Sequence, residues 1–264
     1  MKAASLALAA LAAALASPCQ AQDFASPAPA SRICAPLAFL ETGLPSAAPG
    51  FGVEAAAARW FGLPELVTRS AGLAGSWRGA RGALGISQTG DPELGWTALG
   101  LGLGGAGGSG GGALRAVLRR DRYPRPAGNP LGPGLGLEAG AAAWVAAGGE
   151  VTAWASAPQV WLRGAAPPLA RGLELGLLYR ARGLGVWLSR RAPPRDQEAD
   201  PDHEAGFALE LGPCAAWARA RDRPLRGGAG LAARAGRIGA AVEIQSHPVL
   251  GESVMLSLAV PAPR

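Results

Sequence analysis

Past residue 50 the apolar residues of this chain recur with a period of two, and the pattern returns many times. In the stretch from Leu173 to Tyr179, positions 173, 175, 177 and 179 are apolar while Glu174 and Gly176 face the other way. Leu184, Val186 and Leu188 alternate with Gly183, Gly185 and Ser189. Phe207, Leu209 and Leu211 oppose Ala208 and Glu210, and Ile238, Ala240, Val242 and Ile244 oppose Gly239, Ala241, Glu243 and Gln245. Val254, Leu256, Leu258 and Val260 close the series against Met255, Ser257 and Ala259. A strand turns successive side chains to opposite faces, so each run has one aliphatic face and one small or polar face. Read this way, the chain predicts about fourteen strands, twelve being the alternative, with edges placed to within two to four residues. They span 51–60, 66–77, 81–89, 94–104, 111–120, 133–145, 150–162, 172–181, 183–191, 205–212, 214–221, 228–235, 237–246 and 253–260. Pro158 interrupts the seventh, which is expected to be bulged or split there.

The connections sort by parity. Links from odd to even strands are often long and rich in Pro, Asp or Arg, as in 121–133, 163–171, 192–204 and 222–227. Links from even to odd strands are tight, at Gly79-Ala80, 146–149, Arg182, Pro213 and Gly236. A sheet with long loops on one side and short turns on the other is the arrangement of a closed, membrane-spanning up-and-down barrel. A soluble sandwich, the remaining alternative, has no reason to sort its loops. The charges point the same way. Glu54, Glu138, Glu174, Glu210 and Glu243 each interrupt an apolar run, and Arg115, Arg119, Arg219, Arg221 and Arg234 can be placed likewise. An arginine facing lipid at mid-membrane costs about 2–4 kcal/mol, whereas one facing a wet interior costs little, so these ten are expected to face the lumen. The eight tryptophans fall about one to a strand, many near strand ends, and are expected to form interfacial girdles.

Composition narrows the class further. The 40 Gly and 23 Pro approach a low-complexity composition, but 49% hydrophobic residues give the chain enough apolar surface to fold. Collagen is excluded because no Gly-X-Y period runs through it. A polytopic helical membrane protein is disfavoured by a mean hydropathy of +0.16. The net charge of +6 does not imply nucleic acid: Lys2 is the only lysine, and the arginines are scattered singly or in pairs. Lys2, the Ala/Leu run to Ala16 and the Ala21-Gln22 junction describe a secretory signal peptide over residues 1–21, with 22–50 as a Pro/Ala-rich leader and 51–264 as the barrel.

With its export signal, strand count and loop parity, the chain resembles bacterial outer-membrane β-barrels. Within them it looks most similar to the fourteen-stranded FadL-like group, which includes long-chain fatty-acid transporters and the PorV-type barrels of a secretion system. The resemblance covers 51–260 and rests on no diagnostic motif. It implies an all-β outer-membrane protein that contacts lipid and passes small or hydrophobic solutes. The alternative is a non-transporting scaffold that presents loops to envelope or secretion proteins. In the FadL-like group an N-terminal segment plugs the lumen; residues 22–50 are either such a plug or a disordered periplasmic leader. Cys34 in the leader and Cys214 at a periplasmic turn share one side of the membrane, which suggests a disulfide between them.

No catalytic constellation stands out, and neither an enzyme nor a cofactor is expected. The glycine run 100–112 lacks the Gly-Lys-Ser/Thr ending of a phosphate loop and reads as a flexible turn. His247, with Ser246, Ser253 and Glu252 nearby, is the one hint of a hydrolase, but no Gly-x-Ser-x-Gly elbow is present. The loop carrying Asp196, Glu198, Asp200 and Asp202 beside His203 is a weak Ca²⁺ candidate; mutual repulsion and solvation explain it equally well.

Overall fold

A computed structural model describes Leu37, Leu40 and residues 51–261, apart from 92–94, 108, 123–133, 149, 165–171, 193–199 and 224. The alternating runs form fourteen strands: β1 (Gly52–Arg59), β2 (Val67–Trp77), β3 (Ala80–Gly90), β4 (Gly95–Gly107), β5 (Gly110–Asp121), β6 (Leu135–Ala147) and β7 (Val151–Gly164). The second half supplies β8 (Glu174–Ala181), β9 (Leu184–Arg191), β10 (Asp202–Leu211), β11 (Cys214–Asp222), β12 (Leu225–Ala235), β13 (Ile238–His247) and β14 (Gly251–Pro261). Each pairs antiparallel with its sequence neighbours, and β14 returns to pair with β1, from Gly52 opposite Pro261 to Arg59 opposite Val254. Closure leaves no exposed sheet edge, which is what separates this barrel from the sandwich alternative and excludes the latter.

The period-two pattern decides which face is which. Along β1 the burial alternates residue by residue, with Glu54, Ala56 and Ala58 inward and Val53, Ala55 and Ala57 outward. Outside, every strand but β11 carries a large exposed apolar side chain, among them Leu101, Leu114, Leu177, Leu188, Phe207, Leu231 and Leu256. An aliphatic belt of that extent is far larger than the apolar patches soluble monomers tolerate.

Several strand edges differ from the sequence reading. β12 begins at Leu225, so the expected 222–227 loop is a tight turn: Arg221 pairs with Arg226 and Asp222 with Leu225. Gly227-Gly228 has no side-chain alternation to reveal the strand, although its backbone pairs normally with Arg219 and Ala220. The glycine run belongs to the two arms of a hairpin, with Gly105 opposite Gly112 and Gly107 opposite Gly110. β7 is a single strand whose register with β6 shifts between Ala139 and Ala141, so that the segment containing Pro158 forms a bulge. The short turns have the expected chemistry: Arg78-Gly79 and Arg182-Gly183 each take two successive positive φ values (50° and 83°, 47° and 84°). That geometry matches the twist of the flanking strands.

Candidate functional site: the barrel lumen

The inner wall has two unlike halves. On β1–β4 most inward positions are small, Ala56, Ser70, Gly72, Ala83, Gly85 and Ala98 among them. On β9–β13 small residues such as Ala208, Ala232 and Ala241 are interspersed with large or charged ones, Trp187, Glu204, Trp217, Arg219, Arg221 and Glu243. A fourteen-stranded wall lies between the eight strands that side chains can fill and the sixteen or so that leave an open channel.

The small half is filled from within. Leu37 and Leu40, both helical and both completely buried, pack against Ala56, Ala83, Ala98, Ala113 and Val117. A Cβ added at Gly85 would come within 2.4 Å of the Leu40 side chain, and one at Gly72 within 2.8 Å of Leu37. The glycines are therefore the hollows into which these two leucines fit. Two polar contacts fix the backbone: the Leu37 amide donates to Glu54 Oε2 (3.1 Å), and Arg115 Nη1 donates to the Leu40 carbonyl (2.7 Å). Arg115 also holds Glu138 at 2.6 Å, with both side chains nearly inaccessible, so one guanidinium joins the wall to its occupant. Arg119 pairs with Asp121 (2.9 Å) further toward the long-loop end.

The opposite half is a chain of alternating charges. Glu243, fully buried, accepts from Arg219, from Trp217 Nε1 (3.0 Å) and from Gln245 Nε2 (2.9 Å). Arg219 also faces Glu204 at 3.7 Å; Glu204 in turn accepts from Arg221 (2.8 Å) and from Trp187 Nε1 (3.2 Å). Arg221 continues to Asp202 at 3.5 Å, and Arg191 binds Glu174 at 2.6 Å on the neighbouring strands. Buried ions persist when each finds opposite charge and its remaining hydrogen-bond capacity is used. Here tryptophan N–H groups supply part of that capacity. A small depression lies against this ladder, bordered by Trp60, Glu204, Arg219, Arg221, Arg226 and Gln245.

Of the ten charges assigned inward from the sequence, Glu54, Glu138, Glu243, Arg115 and Arg119 are buried in the lumen, and Glu174, Arg219 and Arg221 are half-buried there. Glu210 and Arg234 occupy the inward register at the short-turn rim, where Arg234 is exposed. Two further lumen charges, Arg191 and Glu204, stand outside the ten assigned from the sequence, where Glu204 reads as the last carboxylate of the loop before β10. Arg191 is legible from its step beyond Ser189, whereas Glu204 fell outside a strand started too late. Leu37 and Leu40 lie three residues apart in a leader whose composition hides them.

The tryptophans correct the girdle expectation. Trp60, Trp96, Trp187 and Trp217 are buried, and Trp144 and Trp154 half-buried, on the inner face; Trp161 is exposed on the outside. Four of them lie directly opposite a glycine on the next strand: Trp144 with Gly111, Trp154 with Gly176, Trp187 with Gly206, and Trp217 with Gly230. The indole folds over the space a side chain would take, its Cζ2 within 2.1–2.2 Å of where each Cβ would stand. The remaining candidates are placed as follows. Cys214 opens β11 as an exposed free thiol, and Cys34 lies outside the described residues. Asp196 and Glu198 also lie outside them, while Asp200 pairs with Arg223 and Asp202 with Arg221. His203 is bound to Asp222 at 2.9 Å. His247 Nδ1 accepts from the amides of Val249 (3.2 Å) and Leu250 (3.1 Å), and Ser253 Oγ accepts from the Phe61 amide (2.9 Å). Glu252 and Ser246 point outward, away from that imidazole, so these groups do not assemble into a triad.

No family model matches the chain, and no curated protein matches it. Among solved structures it is similar to variants of the Rhodopseudomonas blastica porin. One triple variant has 11% identity and a TM-score of 0.45, covering 81% of this chain and 98% of that one. Another, carrying two introduced tryptophans, gives the same values. A structure described under asymmetric conductivity of engineered proteins has 10% identity and a TM-score of 0.44, with the same coverage.

Proposed function

We propose that the chain is an outer-membrane β-barrel that passes small polar solutes, and that the segment carrying Leu37 and Leu40 is its gate. The aliphatic belt supports the membrane placement, because lipid is the solvent that such a face requires and a closed barrel satisfies every strand internally. The observation that carries the gate is the fit of Leu37 and Leu40 into a wall built small to receive them, with a polar contact to Glu54 and another to Arg115 among the described residues. The charge ladder on the facing wall favours polar over long-chain hydrophobic solutes. Its alternating signs offer donors and acceptors without a strong net field. A non-transporting scaffold is the second reading, favoured by the occupancy of both halves of the lumen.

Planar-bilayer conductance separates the two. The intact protein should insert with low, infrequent conductance, whereas deletion of residues 22–50 should give sustained openings. Gly85→Val, which drives a side chain into the Leu40 site, should raise the open fraction in the same direction. A deletion variant that inserts and never conducts would establish the scaffold instead.

A further inference from the structure

The outer face differs between its two ends. At the short-turn end the outward strand positions among the described residues are uncharged, as at Val53, Val145, Leu184, Leu211, Ile238 and Val260. At the long-loop end five strands carry an outward, exposed arginine within three residues of their limit. Arg59 is the last residue of β1 and Arg69 the third of β2; Arg120, Arg163 and Arg190 are the penultimate residues of β5, β7 and β9. They continue the aliphatic faces: Arg120 follows Leu118, and Arg190 follows Val186 and Leu188. Among the described residues none of the five forms an ion pair. The outward acids of this rim, Glu252 and Asp222, stand on β14 and β11, and Asp222 is engaged by His203.

An outward arginine is expensive in mid-membrane and nearly free at the interface, so these five mark where the belt ends. Each can lay its methylene stem along the leucines below and raise its guanidinium into the headgroup layer. A guanidinium there meets phosphate oxygens in a geometry that permits two parallel hydrogen bonds.

We propose that this rim is a binding site for lipid phosphate: Arg59, Arg69, Arg120, Arg163 and Arg190 seat the phosphorylated headgroups of the long-loop leaflet, in an outer membrane those of lipid A. The assignment rests on the membrane-spanning reading above and is independent of whether the lumen conducts. Its occupant follows from charge: on the lipid-facing side of this rim five arginines stand against two acids, one of them already engaged by His203.

The test is lipid retention from mixed micelles of lipid A and phosphatidylcholine, read by native mass spectrometry of the full chain. Wild-type protein should retain lipid A in preference to phosphatidylcholine. Replacing the five arginines by glutamine should lower that retention by at least about tenfold, because it removes the interfacial charge that attracts anionic headgroups. The triple variant Arg78→Gln, Arg182→Gln, Arg237→Gln, at the short-turn tips, should retain lipid A as wild type does. Equal retention by wild type and the fivefold variant, or equal loss in the short-turn control, would overturn the site. Insertion into pure phosphatidylcholine vesicles is scored in parallel. A wild-type chain that stays in the aqueous phase there would overturn the membrane reading and this site with it, whereas insertion without lipid A preference overturns the site alone.

Discussion

Arg115 shows how much one side chain carries here. It neutralises Glu138 and at the same time donates to the carbonyl of Leu40, so wall and occupant share a donor. Glu138→Ala would remove this buried ion pair and should destabilise the barrel by about 3–5 kcal/mol, measured by reversible urea unfolding in micelles. Replacing the pair together, Arg115→Met with Glu138→Leu, should restore most of that stability, because two apolar side chains of similar volume need no compensation. The double variant nevertheless lacks the donor to Leu40. Stability and gating should therefore part company: the double variant folds like wild type yet conducts more. A protein in which both properties recover together would show that Arg115 plays no part in holding the segment.

At the scale of the strand, the repeated unit is an inward tryptophan over a glycine on its neighbour. Gly206→Ala would put a methyl group 2.2 Å from Trp187 Cζ2, and the displaced indole would also lose its bond to Glu204. Overpacking of this kind costs about 1–3 kcal/mol. Gly82→Ala, whose nearest side-chain neighbour would be 3.8 Å away, should be close to neutral in the same unfolding assay. The strands themselves were readable because Leu, Val and Ile alternate with small or charged residues. The tryptophans misled because a large amphipathic ring suits a membrane interface and a polar interior equally well. The face of Trp187 follows once Val186 and Leu188 are set outward, but that its partner is Gly206 follows only from register. Register is invisible wherever a strand is made of Gly and Ala, as in the missed start of β12.

At the scale of the whole molecule, parity of loop length and the number of alternating runs were sufficient for a closed antiparallel barrel of fourteen strands. The content of the lumen was not legible in the same way. A charge set on the inner face by alternation has no partner until the curvature of the wall brings one near, so the sequence indicated Arg219 and Glu243 separately and never the ladder joining them through Glu204 to Arg221. The gate was hidden for the opposite reason: Leu37 and Leu40 leave only a two-residue trace in a segment dominated by Pro, Ala and Ser.

The two halves of that inner wall also differ in when they can exist. The hydrogen bonds of Leu37 and Leu40 and the buried residues clustered with them lie between Glu54 and Val117, with Trp144 packed against the same cluster, whereas the seam joins β1 to β14 some two hundred positions later. Short-range contacts form ahead of those that must close a long loop of chain. The leucines thus have their berth on a half-built, open sheet, and the later strands curl round an interior already furnished. Pulse-labelled hydrogen exchange during refolding should find the amides of β2–β5 protected before those of the β1–β14 seam. Simultaneous protection would mean that the segment enters a finished barrel through its mouth.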